Sequence, residues 1–115
     1  MEWRGTASLS AEGDLKFDDA VLAGTPVDIL VASVAACFMK SCHLAQGARS
    51  TAQTRVEVDV TATKADGRPN RLGAIRIAWA MPELDEAEAS RIAKDAKRIC
   101  TVTNSMSCDF EVVAL

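Results

Sequence analysis

The sequence contains no tyrosine and a single histidine, and aromatic residues make up only 4% of its 115 residues. It also lacks an excess of positive charge, because 13 basic and 16 acidic residues leave a net charge of −3. Nucleic-acid binding relies on a basic field, so we expect no nucleic-acid partner. The chain length predicts a single domain that covers residues 1–115.

The four cysteines, Cys37, Cys42, Cys100 and Cys108, form no CxxC pair. With one histidine and no zinc-type spacing, the sequence predicts no metal site. The first ten residues lack the basic start and apolar run of a signal peptide. We therefore expect a cytoplasmic protein whose thiols are reduced, and whose cysteines are buried or reactive rather than bridged.

Residues 25–47 (TPVDILVASVAACFMKSCHLAQG) form the longest apolar segment and predict one long helix. Thr25 is a suitable N-cap and Pro26 suits the first helical position, where its missing N–H is not needed. Asp28 stands where the acid of a capping box returns to the cap. Gly47 is expected to end the helix as its C-cap residue.

This helix is apolar on nearly all sides, which is typical of a helix buried by several neighbours. Asp28, Lys40 and His43 interrupt the apolar run, so we expect a core helix rather than a membrane span. A chain of this size has little material with which to cover such a helix. Homo-oligomerisation would supply the missing cover.

The other segments divide into strands and one more helix. Alternating or β-branched patterns predict strands at residues 3–10, 15–17, 55–63, 71–80 and 109–115. A second, amphipathic helix is predicted from residue 85 to about residue 100, with a break at residues 101–105. The order β-β-α-β-β-α-β indicates an α+β domain with antiparallel pairing.

Two of the cysteines are better placed for chemistry than the others. Residue statistics favour a packing role for any one buried cysteine, and we interpret Cys42 and Cys108 in that way. Cys37, however, lies among small residues that leave room beside its sulfur, and Cys100 lies where the chain must turn after the second helix. One fixed thiol and one on a mobile element are what thiol–disulfide exchange needs.

Two motifs carry a family resemblance. Residues 24–38 (GTPVDILVASVAACF) resemble the GTxPxELxxAxxAACF signature of the OsmC-like family, which includes osmotically inducible and organic hydroperoxide resistance proteins. Residues 100–106 (CTVTNSM) are similar to the family's CPVSxxL motif, with Thr101 in place of the proline. The resemblance implies an OsmC-like fold, with antiparallel sheets around a long central helix in an intertwined homodimer.

The resemblance also implies a thiol peroxidase of oxidative-stress defence that needs no prosthetic group. Cys37 would attack an organic hydroperoxide or hydrogen peroxide as thiolate and become a sulfenic acid. Cys100 would condense with it to a disulfide, which an external dithiol would reduce. In the family an N-terminal arginine and an acid before the core helix hold the site, and Arg4 and Asp28 are the residues that match.

Each of these assignments has an alternative. Asp28 can serve the capping box, a role that is compatible with the site. Arg4 can be an exposed strand residue, and Lys40 is a second candidate cation close to Cys37. The alternative function is a non-catalytic OsmC-like dimer that binds a small hydrophobic ligand or acts as a redox-responsive structural protein.

Overall fold

The computed structural model describes residues 2–18 and 24–115. Its elements are β1 (Glu2–Leu9), β2 (Leu15–Phe17), α1 (Pro26–Ala48), β3 (Val56–Lys64), β4 (Leu72–Ala80), α2 (Glu86–Ile99), α3 (Thr101–Asn104) and β5 (Asp109–Ala114). The predicted α+β element order is confirmed. Most of the connector predicted between β2 and α1, residues 19–23, lies outside the described residues.

The strands form one five-stranded sheet in the order β2-β1-β3-β4-β5. The β1–β2 and β3–β4 pairs are antiparallel, as the hairpin signals predict. The β1–β3 pair is also antiparallel, but β4 and β5 are parallel. The expectation of antiparallel pairing throughout is therefore wrong for β5. The chain crosses over through α2 and α3 before it returns, and a long crossover of this kind is what a parallel pair requires.

The start of α1 agrees with its sequence. The Thr25 side chain accepts a hydrogen bond from the Asp28 backbone N–H, and the Asp28 carboxylate accepts one from the Thr25 N–H at 2.8 Å, which completes a capping box. The end of α1 differs from the prediction, because Gly47 is helical and Arg49 is the C-cap. Ser50 takes the positive φ of 56° that reverses the chain, so the glycine is not needed there.

One face of the sheet and the inner side of α1 make the core. The inward-facing strand residues alternate with polar ones, as half-buried strands require. Buried side chains from both layers include Leu9, Val34, Phe38, Met39, Val56, Val58, Val60, Ile75 and Ile77. The helix lies over β1 and β3, and α2 packs beside it. This arrangement leaves the opposite side of α1 without cover from the described part of the chain.

The second helix behaves as its pattern predicts. Asp85 is the N-cap of α2 and accepts a hydrogen bond from the Glu88 N–H at 2.8 Å. The helix ends at Ile99, and Cys100 has an extended backbone with φ −69° and ψ 105°. The end of the helix agrees with the predicted end near residue 100. The break predicted at residues 101–105 is wrong in position, because the chain breaks at Cys100 and Thr101–Asn104 forms the single helical turn α3.

Among the described residues, α1 is the one helix long and apolar enough to cross a membrane by length and composition alone. The polar residues within it do not prevent it from meeting that criterion. Its packing on β1, β3 and α2 is what a core helix of a folded domain shows, and we interpret it in that sense.

Candidate active site

Cys37 lies midway along α1, half-buried, beside a strip of residues that the described part of the chain covers only in part. This strip, which we name the open stripe, comprises Ile29, Ser33, Ala36, Lys40 and Leu44. Its members recur every three or four residues and therefore share one side of the helix. Cys37 follows Ala36 directly, so its thiol lies at the border between the open stripe and the packed side of α1.

Cys100 lies at the junction of α2 and α3, where the backbone change described above turns its side chain into the core. It is fully buried, with 0% of its surface exposed. Its thiol and the Cys37 thiol are close enough to share a hydrogen bond, although both cysteines are free. The structure thus brings together the two cysteines that the sequence selected, and it places the second one in the core instead of on an exposed turn.

Burial raises the pKa of the Cys37 thiol, and the neighbouring Cys100 thiol raises it further because a second acidic sulfur opposes the thiolate charge. Two donors act in the other direction and lower the Cys37 pKa: the backbone N–H of Val102, and to a smaller extent the hydroxyl of Ser41. Burial is the largest of these effects, so in a single chain Cys37 is mainly a thiol near neutral pH.

Sequence reasoning did not identify Ser41 or Val102 as neighbours of Cys37. Ser41 follows Cys37 by four residues on a helix, a spacing that places the two side chains one above the other. That signal was present in the sequence. Val102 comes to the site only through the turn at Cys100 and the short helix α3, which no local pattern specifies.

Asp28 and Cys37 are not neighbours within one chain. They are nine residues apart on α1, so they point to opposite sides of the helix and are separated along it by about 13 Å. The Asp28 carboxylate is engaged by Thr25, whose N–H and hydroxyl both donate to it, at 2.8 and 3.0 Å. The capping alternative therefore describes the contacts of Asp28 in this chain.

Arg4 also lies away from Cys37 within one chain. Its neighbours in β1, Trp3 and Gly5, face the helix layer, so Arg4 points to the outer face of the sheet. It is exposed there and forms an ion pair with Glu2, with 2.7 Å between Nε and Oε1. The exposed-strand alternative describes its position in this chain.

Lys40 is the candidate cation that lies nearest to Cys37 along the chain. It is three residues further along α1 and belongs to the open stripe. Its ammonium group donates to the Gly13 carbonyl at 3.2 Å, in the β1–β2 turn. Neither Lys40 nor any arginine contributes to the pKa of Cys37 in the single chain.

The remaining candidates lie outside the pair of thiols. Burial raises the pKa of Cys42 to about 12, and the side chain is fully enclosed in the core, as a packing cysteine should be. His43 lies 2.9 Å from the Thr54 carbonyl through its Nε2, which ties α1 to the following loop. Cys108 is half-buried, and burial raises its pKa.

Within residues 2–18 and 24–115, no group of three or more histidine, cysteine, aspartate or glutamate side chains is placed to hold a metal ion. The chemistry of the site, as far as the described residues supply it, is that of two adjacent thiols with two hydrogen-bond donors.

Comparison with protein families finds a match to the model of the OsmC-like protein family over residues 17–113. The chain belongs to the OsmC-like family. The match includes both cysteines of the candidate site, every element from α1 to α3 and most of β5. A comparison with curated proteins finds no match.

Solved structures agree on the fold. The organic hydroperoxide resistance protein OhrB of Bacillus subtilis is 16% identical, covers 100% of this chain and 98% of its own, and superimposes with a TM-score of 0.69. The organic hydroperoxide resistance protein OsmC from Legionella pneumophila is 15% identical, with coverage of 100% and 97% and a TM-score of 0.69. At these identities the likeness shows the OsmC-like fold.

Proposed function

We propose that the protein is a cysteine-based peroxidase that reduces organic hydroperoxides or hydrogen peroxide. The Cys37 thiolate attacks the outer peroxide oxygen, the O–O bond breaks, and an alcohol or water leaves with one proton. Cys37 is then a sulfenic acid. The Cys100 thiol displaces its hydroxyl group as water and forms the Cys37–Cys100 disulfide. An external dithiol returns both cysteines to thiols and is itself oxidised.

The observation that carries this proposal is the contact between the Cys37 and Cys100 thiols. The two thiols are close neighbours, Cys37 is partly accessible, and Cys100 is fully buried. Peroxide can therefore reach only the first of them, while the second is in place to resolve the sulfenic acid. The family membership and the names of the two structural neighbours support the same chemistry.

The active form is proposed to be a homodimer joined through the open stripe. Ile29 and Leu44 are 56% and 67% exposed, which leaves large apolar side chains in water on an apolar helix. They lie at equal distances on either side of Ala36 and Cys37. In an antiparallel pair of α1 helices related by a two-fold axis, Ile29 would therefore face the partner subunit's Leu44, as an isologous interface requires.

Dimerisation also bears on the reactivity of Cys37. Only the thiolate attacks peroxide, yet burial raises the Cys37 pKa in the single chain. A partner helix on the open stripe would place a cationic side chain beside a thiol that lies at its border. Lys40 suits this role better than Arg4 does, because Lys40 belongs to the open stripe and Arg4 points to the outer face of the sheet.

A second function is favoured by that same raised pKa. A non-catalytic OsmC-like dimer that binds a small hydrophobic ligand needs no thiolate. In that case the cysteines would be packing residues or would respond slowly to oxidants.

We place the protein in the cytoplasm, without membrane or nucleic-acid partners, under either function.

Trapping the intermediate tests the proposal. With one equivalent of cumene hydroperoxide and dimedone, Cys100→Ser should give a dimedone adduct on Cys37, because the sulfenic acid has no resolving thiol. The wild-type protein should give little adduct and a disulfide instead. Cys108→Ser serves as the matched control and should behave as wild type. The binding function would be preferred if Cys100→Ser gives no adduct.

A further inference from the structure

We propose that Ser41 is a positioning residue for Cys37, and that its hydroxyl donates a hydrogen bond that holds the negatively charged sulfur in place for attack on peroxide. The inference deepens the proposed peroxidase function and rests on it for the consequence in catalysis. The contact between the two side chains does not depend on that function. Ser41 differs in kind from Lys40, because a hydroxyl acts through a hydrogen bond and carries no charge.

The place of Ser41 on α1 brings its side chain to the Cys37 thiol from the packed side of the helix. The two residues are four apart, so Ser41 lies about 6 Å further along the axis and about 40° further round it. Ser41 is 3% exposed, whereas Cys37 is half-buried at the border of the open stripe. The hydroxyl therefore approaches the sulfur from the protected side and leaves its accessible side free for a peroxide.

A buried polar side chain on a core helix calls for an explanation, and α1 has two that carry oxygen, Ser41 and Gln46. The amide nitrogen of Gln46 donates to Thr54 Oγ1 at 2.8 Å, and its amide oxygen accepts from the Thr54 N–H at 3.1 Å. These bonds fix the segment that follows the helix, which is a structural role. In the part of the chain that the structure describes, Ser41 makes no comparable bond to another segment.

Ser33 shows what a serine within a helix usually does. Its hydroxyl donates to the Ile29 carbonyl, four residues earlier, at 3.1 Å. The same bond from Ser41 would end at the Cys37 carbonyl, but among the described residues Ser41 donates to no main-chain carbonyl. Its hydrogen-bonding neighbour is the Cys37 thiol instead. The hydroxyl of Ser41 is therefore available to the sulfur.

The surroundings of the sulfur give this one donor a large share of the control. Burial is the largest effect on the Cys37 pKa and raises it, and Cys100 is the titratable neighbour that raises it further. No charged side chain of the described chain lowers the Cys37 pKa, so the thiolate depends on hydrogen bonds. One of these comes from the Val102 main chain, which side-chain substitution does not remove. Ser41 is the side chain that supplies the other.

In the proposed reaction the Ser41 hydroxyl keeps its proton, and no bond to its oxygen forms or breaks. It favours the thiolate over the thiol before the attack, as a preorganised donor does. A thiolate that is held in this way is also a weaker nucleophile, and the exponent that relates nucleophilicity to pKa is about 0.4–0.5. The gain in thiolate population therefore exceeds the loss in nucleophilicity near neutral pH, and the reverse holds once the thiol is fully ionised.

The pH profile of alkylation tests this balance. Of the four cysteines, Cys37 and Cys108 are the two that are partly exposed, so the measurement uses iodoacetamide in a Cys108→Ser background. Loss of one ordinary hydrogen bond in Ser41→Ala should lower the thiolate population about fivefold and move the midpoint of the profile up by about 0.7 pH units. The rate at pH 7 should fall about twofold, and the limiting rate at high pH should rise about twofold.

Ser90→Ala is the matched control, since it removes a serine hydroxyl from the exposed side of α2, and it should leave the whole profile unchanged. Urea unfolding separates positioning from structure: Ser41→Ala should be as stable as its background or more so, because it removes a polar group from the core. An unmoved midpoint in Ser41→Ala would overturn the proposal. Failure of Ser41→Ala to fold would also overturn it, because Ser41 would then be a structural residue.

Alkylation uses no peroxide, so its outcome is separate from that of the peroxidase function. For the reaction itself, Ser41→Ala should slow the oxidation of Cys37 by cumene hydroperoxide and by hydrogen peroxide by the same factor of about two at pH 7, because the effect acts on the sulfur and not on the substrate. A wild-type protein that consumes both peroxides, with unchanged rates in Ser41→Ala, would contradict this inference alone.

Discussion

The two long helices of this protein differ in the kind of side chain that each exposes on its outer side. The outer side of α2 carries charged residues such as Arg91 and Lys94, and water satisfies these groups. The outer side of α1 carries Ile29 and Leu44, which are apolar side chains exposed to water. The difference indicates that the outer side of α2 faces solvent. It also supports the proposal that the outer side of α1 is half of an interface.

The same contrast applies to the two cysteines of α1. Cys42 lies on the side of α1 that packs into the core of its own chain, where burial raises its pKa to about 12. Cys37 lies at the border of the open stripe, is partly accessible, and has hydrogen-bond donors in Ser41 and Val102. Its position, rather than its residue type, makes it the candidate for chemistry.

The largest effect is expected from replacing each of these two cysteines by serine in turn. Cys37→Ser should reduce peroxide consumption in the presence of a dithiol by about a thousandfold or more, because the hydroxyl that replaces the thiol is not a nucleophile at neutral pH. Cys42→Ser should keep turnover within about threefold of wild type. Comparable losses of peroxide consumption in both variants would contradict the assignment, because they would show that activity depends on the integrity of α1 and not on the Cys37 thiol.

The second effect concerns the interface. Leu44→Glu places a charge in the proposed dimer contact and should weaken dimerisation about a hundredfold, measured by sedimentation over a range of protein concentrations. Ile99→Glu is its counterpart on α2, at a side chain that is 43% exposed, and should leave the dimer intact. A wild-type protein that sediments as a monomer at every concentration tested would refute the interface itself.

The third effect is a dependence of stability on pH. The folded Cys42 pKa of about 12 exceeds its ordinary value of 9.0, so the stability that the neutral thiol contributes is complete below pH 9 and is lost as the pH rises towards 12. By linkage, the loss is about 2–3 kcal/mol at pH 11. Chemical denaturation of wild type and Cys42→Ala at pH 8 and pH 11 should show a smaller decrease for the variant, and equal decreases would contradict burial of this thiol.

The smallest effect distinguishes the two candidate cations. Lys40→Gln should slow iodoacetamide alkylation of Cys37 at pH 7 about threefold, as loss of one partly exposed charge would. Arg4→Gln should leave the rate unchanged, because Arg4 faces the opposite side of the sheet. A slower alkylation in Arg4→Gln with no change in Lys40→Gln would instead identify Arg4 as the cation that acts on Cys37.

The local parts of the fold could be predicted because their signals are local. The capping box at Thr25 and Asp28, the alternating strands and the approximate end of α2 each depend on a few neighbouring residues. The direction of β5 was mispredicted because an alternating pattern carries no direction, and the crossover through α2 decides it. The end of α1 was mispredicted because Ser50 adopts the conformation for which glycine is usually required.

The candidate site was predictable in part. The choice of Cys37 and Cys100 came from their local surroundings and from two motifs, and the structure places those thiols together. The positions of Arg4 and Asp28 also follow from periodicity: Arg4 alternates with inward residues of β1, and Asp28 precedes Cys37 by nine residues on a helix. The burial of Cys100 and the approach of Val102 depend on packing between distant segments, which no single segment specifies.

The most direct test of the peroxidase mechanism is a count of free thiols, with intact mass and a disulfide map, after one equivalent of cumene hydroperoxide. The account predicts the loss of two thiols, a mass lower by two hydrogens, and one bridge between Cys37 and Cys100. Survival of all four thiols in excess peroxide, or a bridge that omits Cys37, would contradict it.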